Sequence, residues 1–367
     1  MLFRSKGLRE STRDALAEAR ALHAEWNGSE NDRIRVVVLP GKGAEILSIE
    51  HLSSGSPVNV LWKAPWALRP QGLSSSTSAG SQGVWMDHYV GGWQVLFPNA
   101  GDPCTYKAAE LSFHGEASLA PWECSIVETG DGSSVDLSAD LMRSPLRISR
   151  HMSVDPTAPM LRFTESITNT GNERMPYMWG HHPAYGAPFL CEGARLTIPA
   201  RTYLGDVANA PGRTRIAPNA RGTWPNAIAS DGGTVDVSII PGPGAGYANM
   251  GYALDLSNGW YALESPATGI GVAVTWPLEV MPSVWVWQEF NGGQGYPWYG
   301  RSYVMGVEPH SSWPGHGLLG AIEAGTARWL EPGASETVDF TFTIFDLPPH
   351  GLGHVTNVTP AGTVEFE

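Results

Sequence analysis

From about residue 33 to residue 345, turn-forming residues divide the sequence into short runs of β-branched and aromatic side chains. The dividing residues are glycine, proline, asparagine, aspartate and serine, which favour turns and interrupt helices and central strands. With 43 glycines and 29 prolines, this pattern predicts an all-β fold, specifically a large antiparallel structure of the sandwich or barrel type.

The runs with the best strand pattern are 5 to 10 residues long and rich in valine, isoleucine and aromatic residues. They are Arg33–Leu39, Gly43–His51, Val58–Trp62, Cys124–Glu128, Val135–Leu141, Leu146–Val154, Met160–Asn169, Val235–Ile240, Gly259–Glu264, Ile270–Thr275, Val284–Gln288, Tyr303–Val307 and Val338–Ile344.

Only one segment has convincing helical spacing, from Ser11 to Trp26. We therefore expect three parts: a short helical extension over residues 1–30, one β domain over residues 31–349, and a C-terminal tail over residues 350–367. Residues 74–81 are predicted to form a polar loop. Residues 193–229 have weak periodicity and are predicted to make a long excursion over one face.

Composition excludes several classes of partner. Hydrophobic residues make up 42% of the chain and charged residues 16%, which indicates a globular protein with a large core. The formal charge of -13 argues against nucleic acid and anionic membranes as partners. No apolar run approaches the roughly 20 residues needed to cross a bilayer. Three cysteines without metal-ligand spacing, and no visible secretory signal, predict a reduced, cytoplasmic location.

Two distant motifs suggest chemistry. One places His181 and His182 before a proline within an apolar stretch, and the other places Glu308 at the end of the strand-like run Tyr303–Val307. An imidazole and a carboxylate that converge from separate segments supply an acid and a base without a cofactor. Because neighbouring strand residues face opposite ways, only one of the two histidines can point to a given side.

Other sites are less well supported by the sequence. A zinc or manganese site would need histidines at ligand spacing, which is absent, and no nucleophile elbow or dinucleotide-binding glycine motif is present. A glycosidase carboxylate pair stays open, but it would need Glu116 or Glu289 beside Glu308. The 15 tryptophans and 11 tyrosines suit stacking on sugar rings, or they fill a broad β core.

The order of several motifs resembles that of the aldose 1-epimerase, or galactose mutarotase-like, superfamily, and most closely its divergent bacterial branch. The motifs are Leu96-Phe97-Pro98, Phe113-His114-Gly115, His182-Pro183-Ala184-Tyr185, Trp287-Gln288 and Glu308-Pro309. The resemblance covers roughly residues 33–346. It implies a β-supersandwich that interconverts the α and β anomers of a sugar without cofactor or metal.

The resemblance also implies roles for individual residues. His182 matches the family's general acid and Glu308 its general base, with a carboxylate nearby expected to raise the histidine pKa. A small-molecule carbohydrate is the implied substrate. The residues expected to bind it are His114, Trp93, Trp287, Gln288, His181 and Asp255.

The sequence departs from the better-studied mutarotases in ways that leave alternatives open. Asn99 is not followed by their arginine, and the expected substrate-binding aspartate is matched only weakly, by Asp255. A non-catalytic carbohydrate-binding or sensor protein on the same fold is one alternative. An enzyme for an acidic sugar is another, with Arg301 or Lys107 facing the anionic group.

Overall fold

The computed structural model describes residues 26–27, 33–52, 56–66, 76, 78–129, 132–209 and 212–367. Within them nearly half of the residues lie in β-strands, and two short helices are present, α1 (Ser81–His88) and α2 (Gly317–Glu323). Strands are numbered below in chain order. All paired strands are antiparallel, in agreement with the prediction from the turn-forming residues.

The larger of the two main sheets has 13 strands among the described residues, in the order β1-β2-β3-β5-β13-β23-β22-β19-β15-β16-β17-β18, with β4 paired to β3. Its strands are β1 (Trp26–Asn27), β2 (Ile34–Leu39), β3 (Glu45–His51), β4 (Val58–Asn59), β5 (Trp93–Leu96), β13 (Gly180–Gly186), β15 (Thr202–Gly205), β16 (Arg221–Thr223), β17 (Asn226–Ile228), β18 (Thr234–Asp236), β19 (Tyr247–Leu254), β22 (Ser283–Phe290) and β23 (Tyr303–His310).

The second main sheet has eight strands in the described part of the chain, in the order β14-β20-β21-β25-β11-β10-β9-β8. Its strands are β8 (Glu123–Thr129), β9 (Gly132–Asp140), β10 (Leu146–Val154), β11 (Met160–Asn169), β14 (Arg195–Thr197), β20 (Trp260–Ser265), β21 (Ile270–Thr275) and β25 (Ser335–Asp346). The remaining strands form three two-stranded pairs: β6 (Cys104–Tyr106) with β7 (Ala109–Leu111), β12 (Met175–Tyr177) with β24 (Arg328–Leu330), and β26 (Val355–Val358) with β27 (Val364–Phe366).

The hydrophobic core lies between the two main sheets. It combines Trp93 and Val286 of the first sheet with Phe163 and Phe340 of the second, all 2% exposed or less. Burial alternates along β10, so that one face of the strand contributes to the core and the other is partly solvated. One face of the large sheet therefore packs in the core, and its opposite face is free of that packing and can form a site.

Three of the predicted segments differ from the structure, and a fourth lies almost entirely outside the described residues. The predicted helix Ser11–Trp26 lies outside the described residues except for Trp26, which belongs to a strand. Ser81 begins α1 and does not end a loop. Residues 193–229 contribute strands to both sheets, because their short runs pair with β19 and β20. The predicted C-terminal tail contains the β26–β27 hairpin, which packs against Trp260.

Neither helix in the described part of the chain is long and apolar enough to cross a membrane.

Candidate active site

A cavity of about 280 Å³ lies on the face of the large sheet that points away from the core. Strands β13, β23, β22 and β19 form its floor, and α1, the turn at His114 and the loop at His316 contribute walls. Such a volume is close to the lower end of the range for small-molecule sites.

His182 and Glu308 meet on the floor of this cavity. Gly180 pairs with His310 and Ala184 with Gly306, so His182 of β13 lies directly opposite Glu308 of β23. His182 Nε2 lies 3.6 Å from Glu308 Oε1. The histidine and the carboxylate of the two distant motifs are therefore cross-strand neighbours on one face.

Burial dominates the electrostatics of this pair. It raises the pKa of Glu308 well above its ordinary value and lowers the pKa of His182 to about 4. Burial therefore favours the neutral form of both groups, which places the proton of the pair on Glu308 rather than on His182. This is opposite to the upward histidine shift expected from the sequence, because the desolvation of the buried ring dominates the pKa of His182.

His114 lies beside this pair. Its ring centre lies 5.6 Å from that of His182, and its Nδ1 accepts a hydrogen bond from the Gly101 N–H at 3.1 Å. Burial lowers the pKa of His114 well below its ordinary value, so the ring is neutral. With Nδ1 accepting, the proton is assigned to Nε2, which is then a donor. His114 has a φ of 58° and is followed by Gly115 at 75°, a tight turn that presents the ring to the cavity.

A second polar cluster in the same cavity was missed by the sequence argument. His316 Nδ1 lies 3.2 Å from Asp102 Oδ2, and its Nε2 lies 3.1 Å from Asp206 Oδ2. Hydrogen bonds to Asp102 and Asp206 raise the pKa of His316 to about 10, so it is an imidazolium held between two carboxylates. The Tyr252 hydroxyl donates to Asp206. No motif links these residues in the sequence, because Asp206 follows a strand and His316 lies in a Pro-Gly turn far along the chain.

Aromatic side chains form much of the cavity wall. Trp85 stacks on Tyr89 at 4.5 Å, and the ring centres of Trp287 and Trp298 are 5.3 Å apart. The Trp287 ring centre lies 5.6 Å from that of His182. The Trp287 and Trp298 side chains are partly exposed, so they combine apolar area with a place beside the acid–base pair.

Two residues predicted to bind a sugar lie instead in the core. The Trp93 Nε1–H donates to His181 Nδ1 at 3.0 Å, and both side chains are almost fully buried among phenylalanines. His181 Nε2 lies 3.3 Å from Glu165 Oε1, which also accepts from Trp179 Nε1 at 2.7 Å. Alternation along β13 explains this placement, because His181 must face away from His182.

Gln288 and Asp255 are also outside the cavity. Gln288 follows Trp287 on β22 and therefore faces the opposite side, where it is buried and donates to the Val237 carbonyl at 2.8 Å. Asp255 is exposed, accepts from Thr202 Oγ1 at 2.5 Å and lies 3.7 Å from Arg221.

The residues proposed for other chemistries are also placed away from the acid–base pair. Glu289 accepts from the Gly293 N–H at 2.8 Å and Glu116 from the Arg143 N–H at 2.8 Å; neither lines the cavity. Lys107 pairs with Glu173 beside a separate hollow of about 420 Å³. Arg301 is exposed over the rings of Trp66 and Tyr299.

Solved structures share this architecture at low sequence identity. A protein provisionally named an aldose 1-epimerase, from Klebsiella pneumoniae, has a TM-score of 0.66 at 18% identity, covering 86% of this chain and 78% of that one. A galactose mutarotase related enzyme from Lactobacillus acidophilus has a TM-score of 0.58 at 18% identity, covering 88% and 98%. A galactose mutarotase-like protein from Lactobacillus casei has a TM-score of 0.56 at 15% identity, covering 88% and 100%.

These likenesses define the class: the fold is that of the galactose mutarotase-like β-sandwich proteins. No functionally curated protein matches the chain. The family model described as "Domain of unknown function (DUF4432)" matches residues 26–344, and the chain belongs to that family.

Proposed function

We propose that the protein is a cofactor-independent aldose 1-epimerase that interconverts the α and β anomers of a free sugar. The observation that carries the proposal is the cross-strand pair of His182 and Glu308, 3.6 Å apart on the floor of an aromatic cavity. A base and an acid at that separation can act on two neighbouring oxygens of one pyranose ring.

In the proposed reaction, Glu308 takes the proton of the C1 hydroxyl while His182 gives a proton to the ring oxygen. The bond between C1 and the ring oxygen breaks, and C1 becomes the aldehyde carbon. After rotation about the C1–C2 bond, the two residues exchange roles and the ring closes as the other anomer. Protons and electron pairs balance over the cycle.

The protonation state of the pair suits this cycle. A single proton shared between Glu308 and His182 is what the reaction needs, whichever group holds it before the sugar enters. Sugar hydroxyls that hydrogen-bond to the carboxylate and to the imidazolium replace part of the solvation lost on burial. Binding of the sugar therefore favours transfer of the proton from Glu308 to His182, which creates the base and the acid together.

The rest of the cavity would hold the sugar. His114 offers its Nε2–H to the ring oxygen or to a neighbouring hydroxyl, and Asp206 offers carboxylate oxygens to hydroxyls from another wall. The faces of Trp287 and Trp298 suit the C–H surface of a pyranose.

A neutral sugar fits best. Before the proton moves to His182, the charged groups among the described lining residues are Asp102, Asp206 and the His316 imidazolium, with no lysine or arginine. A phosphate or carboxylate on the sugar would face more negative than positive charge there. The acidic-sugar alternative loses support because Arg301 and Lys107 lie elsewhere.

Exchange NMR between the anomeric protons of a panel of aldoses and their 6-phosphates tests the proposal. We expect accelerated exchange for at least one neutral aldose, and loss of that acceleration in Glu308→Gln. Glu289→Gln is the matched control, since Glu289 is a buried glutamate on the next strand and lies outside the cavity. Saturation transfer from a bound sugar without any accelerated exchange would make the protein a carbohydrate binder and overturn the proposal.

A further inference from the structure

The two carboxylate oxygens of Glu308 have different surroundings. Oε1 faces His182, whereas Oε2 is sealed from solvent and lies 3.5 Å from Nε2 of His310. His310 is two residues further along β23 and so lies on the same face as Glu308. It is fully buried, and neither of its ring nitrogens has a hydrogen-bond partner within the described residues.

The structure makes specific room for this ring. Gly180 pairs with His310 across the strands, and a Cβ at Gly180 would lie 1.9–2.4 Å from ring atoms of His310. The other side of the imidazole stacks on Trp285, with ring centres 3.7 Å apart and planes 8° from parallel. Gly180 does not have a positive φ, so it is needed for space and not for backbone conformation.

A buried imidazole without partners is costly. Each unsatisfied polar group in an interior costs about 1–3 kcal/mol, whereas an apolar side chain in the same slot would cost nothing of that kind. The part of this cost that falls on Nε2 is best recovered when the neighbouring Oε2 is negatively charged and accepts a hydrogen bond, because a charge-assisted hydrogen bond is the stronger kind. The reaction proposed above requires that ionised state of Glu308.

We infer that His310 is a positioning residue for Glu308: its neutral ring donates from Nε2 to Oε2, which stabilises the carboxylate and leaves Oε1 for the sugar hydroxyl. This inference rests on the proposed function, and it adds a residue that touches neither the sugar nor the transferred protons. Burial lowers the pKa of His310 well below its ordinary value, in agreement with a ring that stays neutral throughout.

Other titratable groups surround the pair. His182 faces Glu308 from β13, and His114 and Tyr89 line the same cavity. His181 acts on His310 electrostatically from the core side of the sheet, and Glu308 in turn acts on the core residue Tyr261. Tyr252 lies beyond the Trp285 ring, which it contacts edge-on at 5.7 Å, and Asp206 and His316 follow it.

The direct test is the ionisation of Glu308, followed by carboxyl ¹³C NMR in protein labelled at glutamate and assigned with Glu308→Gln. No sugar is added. Loss of the donor in His310→Leu should raise the pKa of Glu308 by about one unit, a tenfold change in its ionisation constant. In His310→Gln, the amide N–H of the new side chain can replace Nε2–H, so the pKa of Glu308 should stay close to its wild-type value. An unchanged titration in His310→Leu overturns the inference.

Gly180→Ala provides a second route to the same result if His310→Leu fails to fold. The added methyl group displaces the His310 ring without removing it, and the pKa of Glu308 should again rise. If Gly180→Ala leaves that titration at the wild-type position, His310 does not act on Glu308.

Kinetics give the third measurement. In the pH profile of kcat/KM for His310→Leu, we expect a plateau about tenfold lower than in wild type and an alkaline limb that lies about one pH unit higher. KM should change little. His310→Gln should restore the wild-type profile. A lower plateau with an unmoved limb would indicate a structural role and overturn the inference. If the wild-type protein accelerates anomer exchange for none of the sugars, the proposed function is wrong. The titration of Glu308 without sugar still decides whether His310 acts on Glu308.

Discussion

His182 and Glu308 are separated by 126 positions in the sequence, yet the antiparallel register of β13 and β23 places them side by side with 3.6 Å between Nε2 and Oε1. The same register turns His181 to the opposite face, toward the ionised Glu165 in the core. One pair of strands thus places two adjacent histidines in different surroundings.

The two histidines should respond differently to the same substitution. His182→Asn should lower anomer exchange by about 10²–10⁴-fold with little change in stability, because it removes the proposed acid. His181→Asn should instead lower the free energy of unfolding by about 1–3 kcal/mol, because Glu165 loses a partner in the core. Exchange NMR and urea unfolding of both variants check this. Equal loss of activity with equal stability would contradict the assignment of faces.

Two aspartates form a second matched pair. Asp206 lies in the cavity beside His316, whereas Asp255 is exposed and bonded to Thr202. Asp206→Asn should raise KM about tenfold or more, since a hydrogen bond to a charged group contributes about 1.5–3 kcal/mol. Asp255→Asn should leave both KM and kcat unchanged. Saturation curves of exchange rate against sugar concentration decide between them, and a KM effect confined to Asp255→Asn would reverse the choice.

The fold could be predicted from the sequence because its signal is local. Strands such as Leu146–Val154 and Met160–Asn169 are bounded by turn residues and begin and end where the pattern predicts. The Phe113–Gly115 turn and the strands of Glu308 and His182 were likewise recognisable as motifs. What they share is that adjacent residues carry the information.

The rest of the site depends on contacts between distant residues, which cannot be predicted from any short segment of the sequence. Asp206 and His316 come together only through the packing of a loop against β19, and the sequence alone therefore favours Asp255. The sequence predicts that Trp93 and Gln288 contact the sugar, because they lie in aromatic or glycine-rich motifs. Because side chains alternate along a strand, both point to the side of the sheet opposite the cavity. The register of the strands determines which residues face the core.

The two tryptophans predicted to contact the sugar should respond differently to substitution by alanine. Trp287 lines the cavity, so Trp287→Ala should weaken sugar binding severalfold while the protein stays folded. Trp93 fills the core, so Trp93→Ala should cost about 3–5 kcal/mol of stability. Ligand-observed NMR and thermal unfolding measure the two effects. A stable Trp93→Ala protein with impaired sugar binding would contradict the structure.

His316 should be the most basic histidine of the cavity. Its pKa of about 10 comes from hydrogen bonds to Asp102 and Asp206, whereas burial keeps His182 neutral above pH of about 4. Ring NMR at pH 8 should therefore show a protonated His316 and an unprotonated His182, and Asp102→Asn should lower the pKa of His316. A neutral His316 at pH 8 would contradict the cluster geometry.

The pKa of His316 also has a consequence for stability. The folded pKa lies above the ordinary value of 6.5, so the stabilisation is complete below pH 6.5 and is lost as the pH rises toward 10. Wild type should lose more stability than His316→Gln over that range in urea unfolding. Parallel curves for the two proteins would contradict this.

The buried Glu165 should make the core sensitive to acid. Burial raises its pKa, but the Arg150 guanidinium, His181 and the Trp179 N–H outweigh burial and bring the pKa down to about 2. Because the folded pKa lies below the ordinary value of 4.5, the stabilisation is complete above pH of about 5 and is lost as the pH falls toward 2. The shift corresponds to about 3 kcal/mol.

Glu165→Gln isolates this effect. At pH 7 the variant should be about 3–5 kcal/mol less stable than wild type, because Arg150 is left buried without a carboxylate at 2.6 Å. Between pH 5 and pH 3 the wild type should lose stability more steeply, so the difference between the two proteins narrows. His151, exposed beside Asp136 on the same strand as Arg150, offers the control variant His151→Gln, which should keep the wild-type acid slope. A wild-type curve parallel to that of Glu165→Gln would show that Glu165 is not ionised through its contacts in the core.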